Sequence, residues 1–352
     1  MKTKLWMLGA AVAALTSCTQ SEVLEIPESR VIGFDSFVGK NSRAVTTIDT
    51  DGLTNFWVYC AKGVGTGTSF AEDDEDNNAT GIQHFFDAVQ VTKSGNTYTY
   101  DHKHWQGGKN YRFASYSDGN NVLSSAPTFI NDANGNWGLE FTNYAVADKD
   151  LIVALPNEIS VNEEVTNHTR VNLNFGHMLS RVQFVFYTTI TSGQKLRINS
   201  FKFNAFKQGT LKATKNGTTE TIVWETANQT KGDYVYAVNG TNAYTDVTGT
   251  SVSFECYVIP QDNRTLTIDE IVLQTLDAND NVLSTNKFED VSLALTDANH
   301  QSWQPGTIYS YQAEVGSSAH EIHFNAIVDA WKDPSEGDKN IGNITNVDGN
   351  NP

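Results

Sequence analysis

Short runs of β-branched and aromatic residues recur along this chain, and turn-forming residues separate them. The run Val182-Gln183-Phe184-Val185-Phe186-Tyr187 is typical of a strand, and no long apolar stripe with helical spacing competes with such runs. Gly and Asn accept the positive φ angles of tight turns, so the separators predict frequent hairpins. The separators are Ser94-Gly95-Asn96, Asp118-Gly119-Asn120-Asn121, Asn134-Gly135-Asn136, Asn216-Gly217 and Asn279-Asp280-Asn281. The sequence therefore predicts an all-β protein of the β-sandwich type.

The length of the chain favours two hydrophobic cores. It has 352 residues, and a single core stops growing at roughly 250 to 300 residues. A polar segment over residues 156–169 suits a crossing between domains, so we place the boundary near residue 165. We expect an N-terminal β-sandwich domain over 44–165, a C-terminal one over 166–332 and a polar tail over 333–352.

The first eighteen residues predict export. Lys2 and Lys4 supply a positive start, and the apolar run that follows over residues 5–15 is shorter than the roughly 20 residues that span a bilayer. Leu15-Thr16-Ser17-Cys18 resembles the bacterial lipobox, in which the cysteine becomes the diacylated N-terminus. We therefore expect a signal peptide over 1–17 and a lipid on Cys18. An ordinary secretory signal with a chance cysteine is the alternative.

Charge and motif content exclude several functions. The formal net charge is −17, which argues against nucleic acid as a partner because the phosphate backbone attracts basic proteins. The acidic run from Glu72 to Asp76 is interpreted as a solvated loop. No His-Glu-x-x-His run, Gly-x-Ser-x-Gly elbow or phosphate-binding glycine loop occurs. We therefore expect neither an enzyme nor a bound metal or cofactor.

The remaining polar candidates have structural interpretations. His102 and His104 supply too few ligands for a zinc site, and His177 is expected to pack or to bond to the main chain. The loops that begin at Asp132 and Asp277 have the oxygen spacing of a calcium loop without its other ligands, which favours hairpin turns. The cysteines left after Cys18 are Cys60 and Cys256, and we expect buried free thiols in different domains.

Several local patterns, taken in order, resemble the fimbrillin family of the Bacteroidetes. They cover nearly the whole chain beyond the signal. They are Ile32-Gly33-Phe34-Asp35-Ser36-Phe37-Val38-Gly39 with Ser42-Arg43-Ala44, Trp105-Gln106-Gly107-Gly108-Lys109-Asn110-Tyr111-Arg112-Phe113-Ala114-Ser115-Tyr116, Val171-Asn172-Leu173-Asn174-Phe175-Gly176-His177-Met178-Leu179-Ser180-Arg181-Val182-Gln183-Phe184, Trp303-Gln304-Pro305-Gly306-Thr307-Ile308-Tyr309-Ser310-Tyr311 and Ile322-His323-Phe324-Asn325-Ala326-Ile327-Val328-Asp329-Ala330-Trp331. Trp105-Gln106 departs from the family's Trp-Pro step, and the tail after Trp331 lacks alternating apolar residues.

The resemblance implies two transthyretin-like β-sandwich domains of mainly antiparallel strands and no active site. It also implies delivery to the outer membrane through the lipid on Cys18, cleavage between Arg43 and Ala44 by an Arg-specific protease, and loss of segment 18–43. A strand from another pilus subunit would then fill the exposed groove, in a fimbrium on the cell surface. Before cleavage, the groove would be covered by Ile32, Phe34 and Val38. The shaft, tip or anchor role stays open.

A second hypothesis keeps the N-terminal strand in place. The protein would then be a permanently anchored surface lipoprotein, Arg43 would lie uncut in a surface loop, and a glycan or protein of a host or bacterial surface would be the ligand. Trp137 and Trp224 are the candidates for an aromatic stacking platform, although core packing is the commoner use of tryptophan.

Overall fold

The computed structural model describes residues 30–38, 52–73, 84–119, 123, 125–165, 170–188, 193–237, 245–248, 251–262, 265–294, 302–316, 321–330 and 339–348. In this part of the chain every regular element is a β-strand except one turn of 3-10 helix at Gly67–Ser69. The all-β prediction is confirmed. None of the described elements is a helix long and apolar enough to cross a membrane.

The described strands form three sheets. The strands are β1 (Phe34–Val38), β2 (Asn55–Val64), β3 (Ala71–Glu72), β4 (Phe86–Ser94), β5 (Thr97–Thr99), β6 (Asn110–Ser117), β7 (Thr128–Asn131), β8 (Asn136–Ala145), β9 (Ile152–Ala154), β10 (Ile159–Ser160), β11 (Val171–His177), β12 (Ser180–Thr188), β13 (Lys195–Asn216), β14 (Thr219–Ala237), β15 (Thr245–Asp246), β16 (Val252–Val258), β17 (Thr265–Leu276), β18 (Val282–Ala294), β19 (Thr307–Val315), β20 (Glu321–Ala330) and β21 (Lys339–Asp348). Sheet A has the order β1-β11-β9-β6-β2-β4-β5, with β10 on β6 and β3 on β2. Sheet B has the order β18-β17-β13-β8-β7, with β14 and β15 on β13, and sheet C has the order β16-β12-β19-β20-β21. Pairing is antiparallel except between β1 and β11 and between β12 and β19.

Tight turns join neighbouring strands where the sequence predicts them. Gly95, with φ of 62°, turns β4 into β5, and Gly217, with φ of 58°, turns β13 into β14. The carboxylate of Asp132 accepts hydrogen bonds from the backbone N–H groups of Asn134 and Asn136 at 2.9 Å each. The Asp277 carboxylate likewise accepts hydrogen bonds from the backbone N–H groups of Asn279 and Asn281. Both loops are thus aspartate-stabilised hairpin turns.

One long hairpin links the two halves of the chain. The first part of β13 pairs with β17, and its last part pairs with β8 from the N-terminal half. At this junction Gly138 is opposite Thr214, and a Cβ atom at Gly138 would lie only 2.0 Å from the Ala213 carbonyl oxygen. Sheet B therefore runs across the predicted boundary at residue 165, and β11 also joins sheet A from beyond it. The two-domain division stays a prediction.

Three clusters of buried side chains form the core. One lies between sheet C and the first part of the long hairpin and includes Phe184, Phe201 and Tyr311. A second lies on one face of sheet A and is rich in aromatic rings. The third fills the space between the opposite face of sheet A and the far part of sheet B, where Tyr116 contacts Phe141. Sheet A is therefore buried on both faces.

The C-terminal segment predicted as a polar tail contains a strand. Strand β21 pairs antiparallel with β20 at the edge of sheet C, with Ile344 opposite Phe324 and Val347 opposite Ile322. Two register shifts interrupt this ladder, and at each of them β20 advances by two residues while β21 advances by three, as in a β-bulge.

Candidate functional site

The N-terminal segment 30–38 is hydrogen-bonded on both sides, through β1 on one side and through the residues before β1 on the other. Residues Phe34–Val38 run parallel to β11, with Phe34 opposite Val171 and Val38 opposite Phe175. On the other side, the Ile32 N–H donates to the Lys103 carbonyl and the Trp105 N–H donates to the Arg30 carbonyl, both at 2.9 Å. Strand β1 is thus the edge strand of sheet A, and the residues just before it add partners on a second edge.

Side chains near the far end of sheet A also reach β1. The Ser36 hydroxyl donates to the Tyr98 hydroxyl and the Tyr100 hydroxyl donates to the Ile32 carbonyl, each at 2.6 Å. Tyr98 lies in β5, and β5 and β1 stand at opposite ends of the strand order. The N-terminal segment thus bridges the two ends of sheet A.

Two side chains of this segment complete the aromatic core of sheet A. Ile32 and Phe34 are 0% and 1% exposed. The centroid of the Phe34 ring lies 5.5 to 6.1 Å from the centroids of four other rings, in edge-on or tilted arrangements. These rings belong to Phe56, Phe86, Tyr100 and Phe113. Such geometries are the favourable ones for aromatic pairs. The groove beneath β1, which we call the plug groove, is therefore an aromatic pocket filled by Phe34.

Arg170 lies over the outer surface of β1. Its Nε donates to the Asp35 carboxylate and its Nη2 donates to the Phe34 carbonyl, both at 2.6 Å. A Cβ atom added at Gly33 would lie 2.9 Å from the Arg170 Nη1 atom. A side chain at position 33 would therefore have to displace the end of this flexible arginine, which is 45% exposed.

The floor of the plug groove carries no charge near neutral pH. Burial raises the pKa of Tyr100 to about 12, and burial raises the pKa of the Cys60 thiol well above its ordinary value. Positive charge lies beside the aromatic rings, because the Lys103 ammonium is 4.8 Å from the centre of the Phe85 ring and 5.4 Å from that of Phe86. The groove thus offers an apolar interior with a cation beside it.

The structure brings together only part of the site predicted from sequence. Ile32 and Phe34 lie in the plug groove, whereas the side chain of Val38 and residues Cys18, Arg43 and Ala44 lie outside the described residues. Sequence reasoning missed Arg170, Tyr98 and Tyr100. No local motif marks these three residues, because they meet β1 only through long-range pairing.

Comparison with protein families decides the family of this chain. A family model described as fimbrillin-like matches residues 42–331. The chain belongs to the fimbrillin-like family. Membership confirms the resemblance seen in the sequence and supports a fimbrial or adhesive, non-enzymatic role at the cell surface, in association with other fimbrial subunits. In this fimbrillin-like chain, β1 precedes the matched region and β21 follows it.

Solved structures similar to the fimbrillin-like chain include fimbrial proteins. A fimbrial protein from Bacteroides vulgatus is 14% identical with a TM-score of 0.49, and the match covers 86% of this chain and 99% of the other. The fimbrial anchor protein Mfa2 from Porphyromonas gingivalis is 7% identical with a TM-score of 0.30, over 89% of this chain and 99% of the other. No curated protein matches.

The proposed tryptophan platform is wrong for both of its residues. Trp137 and Trp224 are buried, and their indole N–H groups donate to the carbonyls of Phe113 and Met178. Trp224 borders a cleft of about 600 Å³ beside β14, but its ring faces the core cluster between sheets A and B. These two tryptophans therefore serve packing.

The other sequence candidates also have structural partners. His177 is buried, in agreement with the expected packing role, and its Nδ1 hydrogen-bonds with the Asp150 carboxylate. The isolated bridge between His104 and Val31 lies beside the plug groove. Cys60 is buried and free as expected, whereas Cys256 is free but only half-buried.

Proposed function

We propose that this fimbrillin-like chain is a subunit or accessory protein of surface fimbriae whose N-terminal strand is a removable plug. A lipid on Cys18 delivers the chain to the outer membrane, and cleavage between Arg43 and Ala44 separates segment 18–43 from the rest. A strand from a neighbouring subunit then replaces β1 in the plug groove. The observation that carries the proposal is the burial of Ile32 and Phe34 in the core, on a strand N-terminal to the cleavage point.

The energetics of the plug groove suit exchange for another strand. Burying a large apolar side chain contributes roughly 1.5 to 3 kcal/mol, and each hydrogen bond contributes about 1 kcal/mol net. Once cut, β1 keeps only these non-covalent contacts. Its departure would expose the aromatic pocket and the edge of β11, and an exposed edge is a template for pairing with another chain.

The N-terminus of the protein on intact cells tests the proposal. Mass spectrometry of surface-exposed protein should find a mature chain that begins at Ala44. An Arg43→Ala variant should accumulate with its lipidated Cys18 and stay out of fimbriae, whereas a Lys40→Ala control should be processed normally. Recovery of only the lipidated, uncut chain in fimbriated cells would contradict the proposal and favour the permanently anchored lipoprotein.

A further inference from the structure

The plug groove has features that select among incoming strands. We propose that it recognises a glycine-aromatic-acidic triplet running parallel to β11, and that this strand comes from a protein other than a second copy of this chain. The inference rests on the proposed strand exchange and adds the chemistry of the partner to it. Phe34, Gly33 and Asp35 mark the three positions.

The aromatic position follows from the shape of the pocket. Four rings surround Phe34 in the arrangements described above, and the side chain is almost fully buried. A smaller side chain at this position would leave a cavity lined by those rings, because protein interiors relax only partly around a missing group. The position therefore demands a ring of similar size.

The two flanking positions follow from Arg170. A side chain at position 33 would meet its guanidinium, and a carboxylate at position 35 pairs with its Nε. Asp35 and Arg170 are 64% and 45% exposed in their side chains, and exposed ion pairs contribute little. The triplet therefore has one strong position and two weak ones.

Direction is the fourth constraint on the incoming strand. The carbonyl of Gly33 accepts a 2.7 Å hydrogen bond from the Val171 N–H, and the ladder continues in parallel register to Val38 and Phe175. A strand that entered antiparallel would not present the three residues in the same order to the pocket and Arg170. An occupant that reproduces these contacts must therefore run in the direction of β1.

The C-terminal segment of this chain does not carry the triplet. Residues 333–352 contain no Phe, Tyr or Trp. The Ile341-Gly342-Asn343 run aligns with Ile32-Gly33-Phe34 but places an amide where the aromatic pocket needs a ring. Across the whole sequence, Gly33 is the only glycine followed directly by Phe, Tyr or Trp. A second copy therefore has no matching strand besides its own β1.

Peptide binding to a cut chain tests the inference. A protease site introduced within residues 39–51 cuts the chain independently of Arg43. The cut protein is unfolded and refolded with excess peptide, and affinity is measured by fluorescence anisotropy of labelled peptides. The peptides are residues 30–39, the same peptide with Phe34→Ala, the same peptide with Asp35→Lys, and residues 333–352.

The Phe34→Ala peptide should bind about a hundredfold to several thousandfold more weakly than the unaltered peptide, from the usual loss for Phe→Ala in a core. The 333–352 peptide should bind no better than this variant. The Asp35→Lys peptide should lose only a few-fold, as expected for exposed charges. An Arg170→Ala protein should abolish that small difference and retain the preference for Phe34.

Two failures have different meanings. Binding of the unaltered peptide without preference for Phe34, or binding of the 333–352 peptide within tenfold of it, would overturn the inference and leave strand exchange intact. Failure of the unaltered peptide to bind a refolded cut chain would contradict strand exchange itself.

Discussion

Replacing Phe34 by alanine should destabilise the uncut protein substantially. The side chain is 1% exposed and touches four aromatic rings. Phe→Ala in a protein core costs about 3 to 5 kcal/mol, the sum of lost transfer free energy and the cavity that remains. We expect a value in the upper half of this range, because the surrounding rings belong to three other strands and the segment after β5, and cannot all move inward.

Urea unfolding followed by tryptophan fluorescence measures the loss, since Trp105 packs in the same core cluster. Val235→Ala is the matched control, because Val235 is 53% exposed on β14 and a surface substitution changes stability by at most about 0.5 kcal/mol. A loss below about 1 kcal/mol for Phe34→Ala would refute the view that β1 is part of the core.

Three further predictions concern the two thiols, a buried ion pair and a histidine-carboxylate pair. Alkylation of both thiols by iodoacetamide, measured by mass spectrometry, should be slow near pH 7. Burial raises the pKa of Cys60 well above its usual range and that of Cys256 to about 12. Displacement of β1 should speed the reaction at Cys60 alone. Arg112→Ala should lower the free energy of unfolding in urea by about 3 to 5 kcal/mol, because the buried guanidinium pairs with the Glu158 carboxylate and its loss leaves that charge uncompensated. The hydrogen bond to Glu72 raises the pKa of His84. The pair therefore stabilises the fold fully below about pH 6.5, and this stability is lost as pH rises through the raised pKa. Glu72→Gln should lower the His84 pKa in an NMR titration and should reduce the free energy of unfolding only at pH values below the raised pKa.

Much of the local structure could be predicted from the sequence. The hairpin turns at Gly95 and Gly217 were predictable because φ preference is a property of one or two residues. The strand character of Val182 and its neighbours was predictable because period and β-branching are local. Family motifs also located the N-terminal strand and its apolar residues.

The sequence alone could not predict which elements pair. Strand β1 is an edge strand beside β11, and the segment around Trp105 holds the residues just before it, a pairing that no local pattern indicates. Nothing in the sequence around Trp137 and Trp224 distinguishes an exposed stacking platform from packing in the core. Their burial depends on two sheets that stack through the long β13–β14 hairpin. The pairing of β13 with β8 joins residues about 60 to 80 positions apart in the chain and leaves no local pattern.

The sequence by itself determined that this chain is an all-β member of the fimbrillin-like family, with an N-terminal strand whose apolar residues suit burial in a core. Only the tertiary structure decided that Phe34 fills a pocket of four rings and that Arg170 lies across the strand beside it. The physical reason is that turn geometry and alternation depend on neighbours in the chain, whereas a pocket depends on residues that meet only when the sheet is complete. The proposed preference for an aromatic side chain in an incoming strand therefore depends on the tertiary structure.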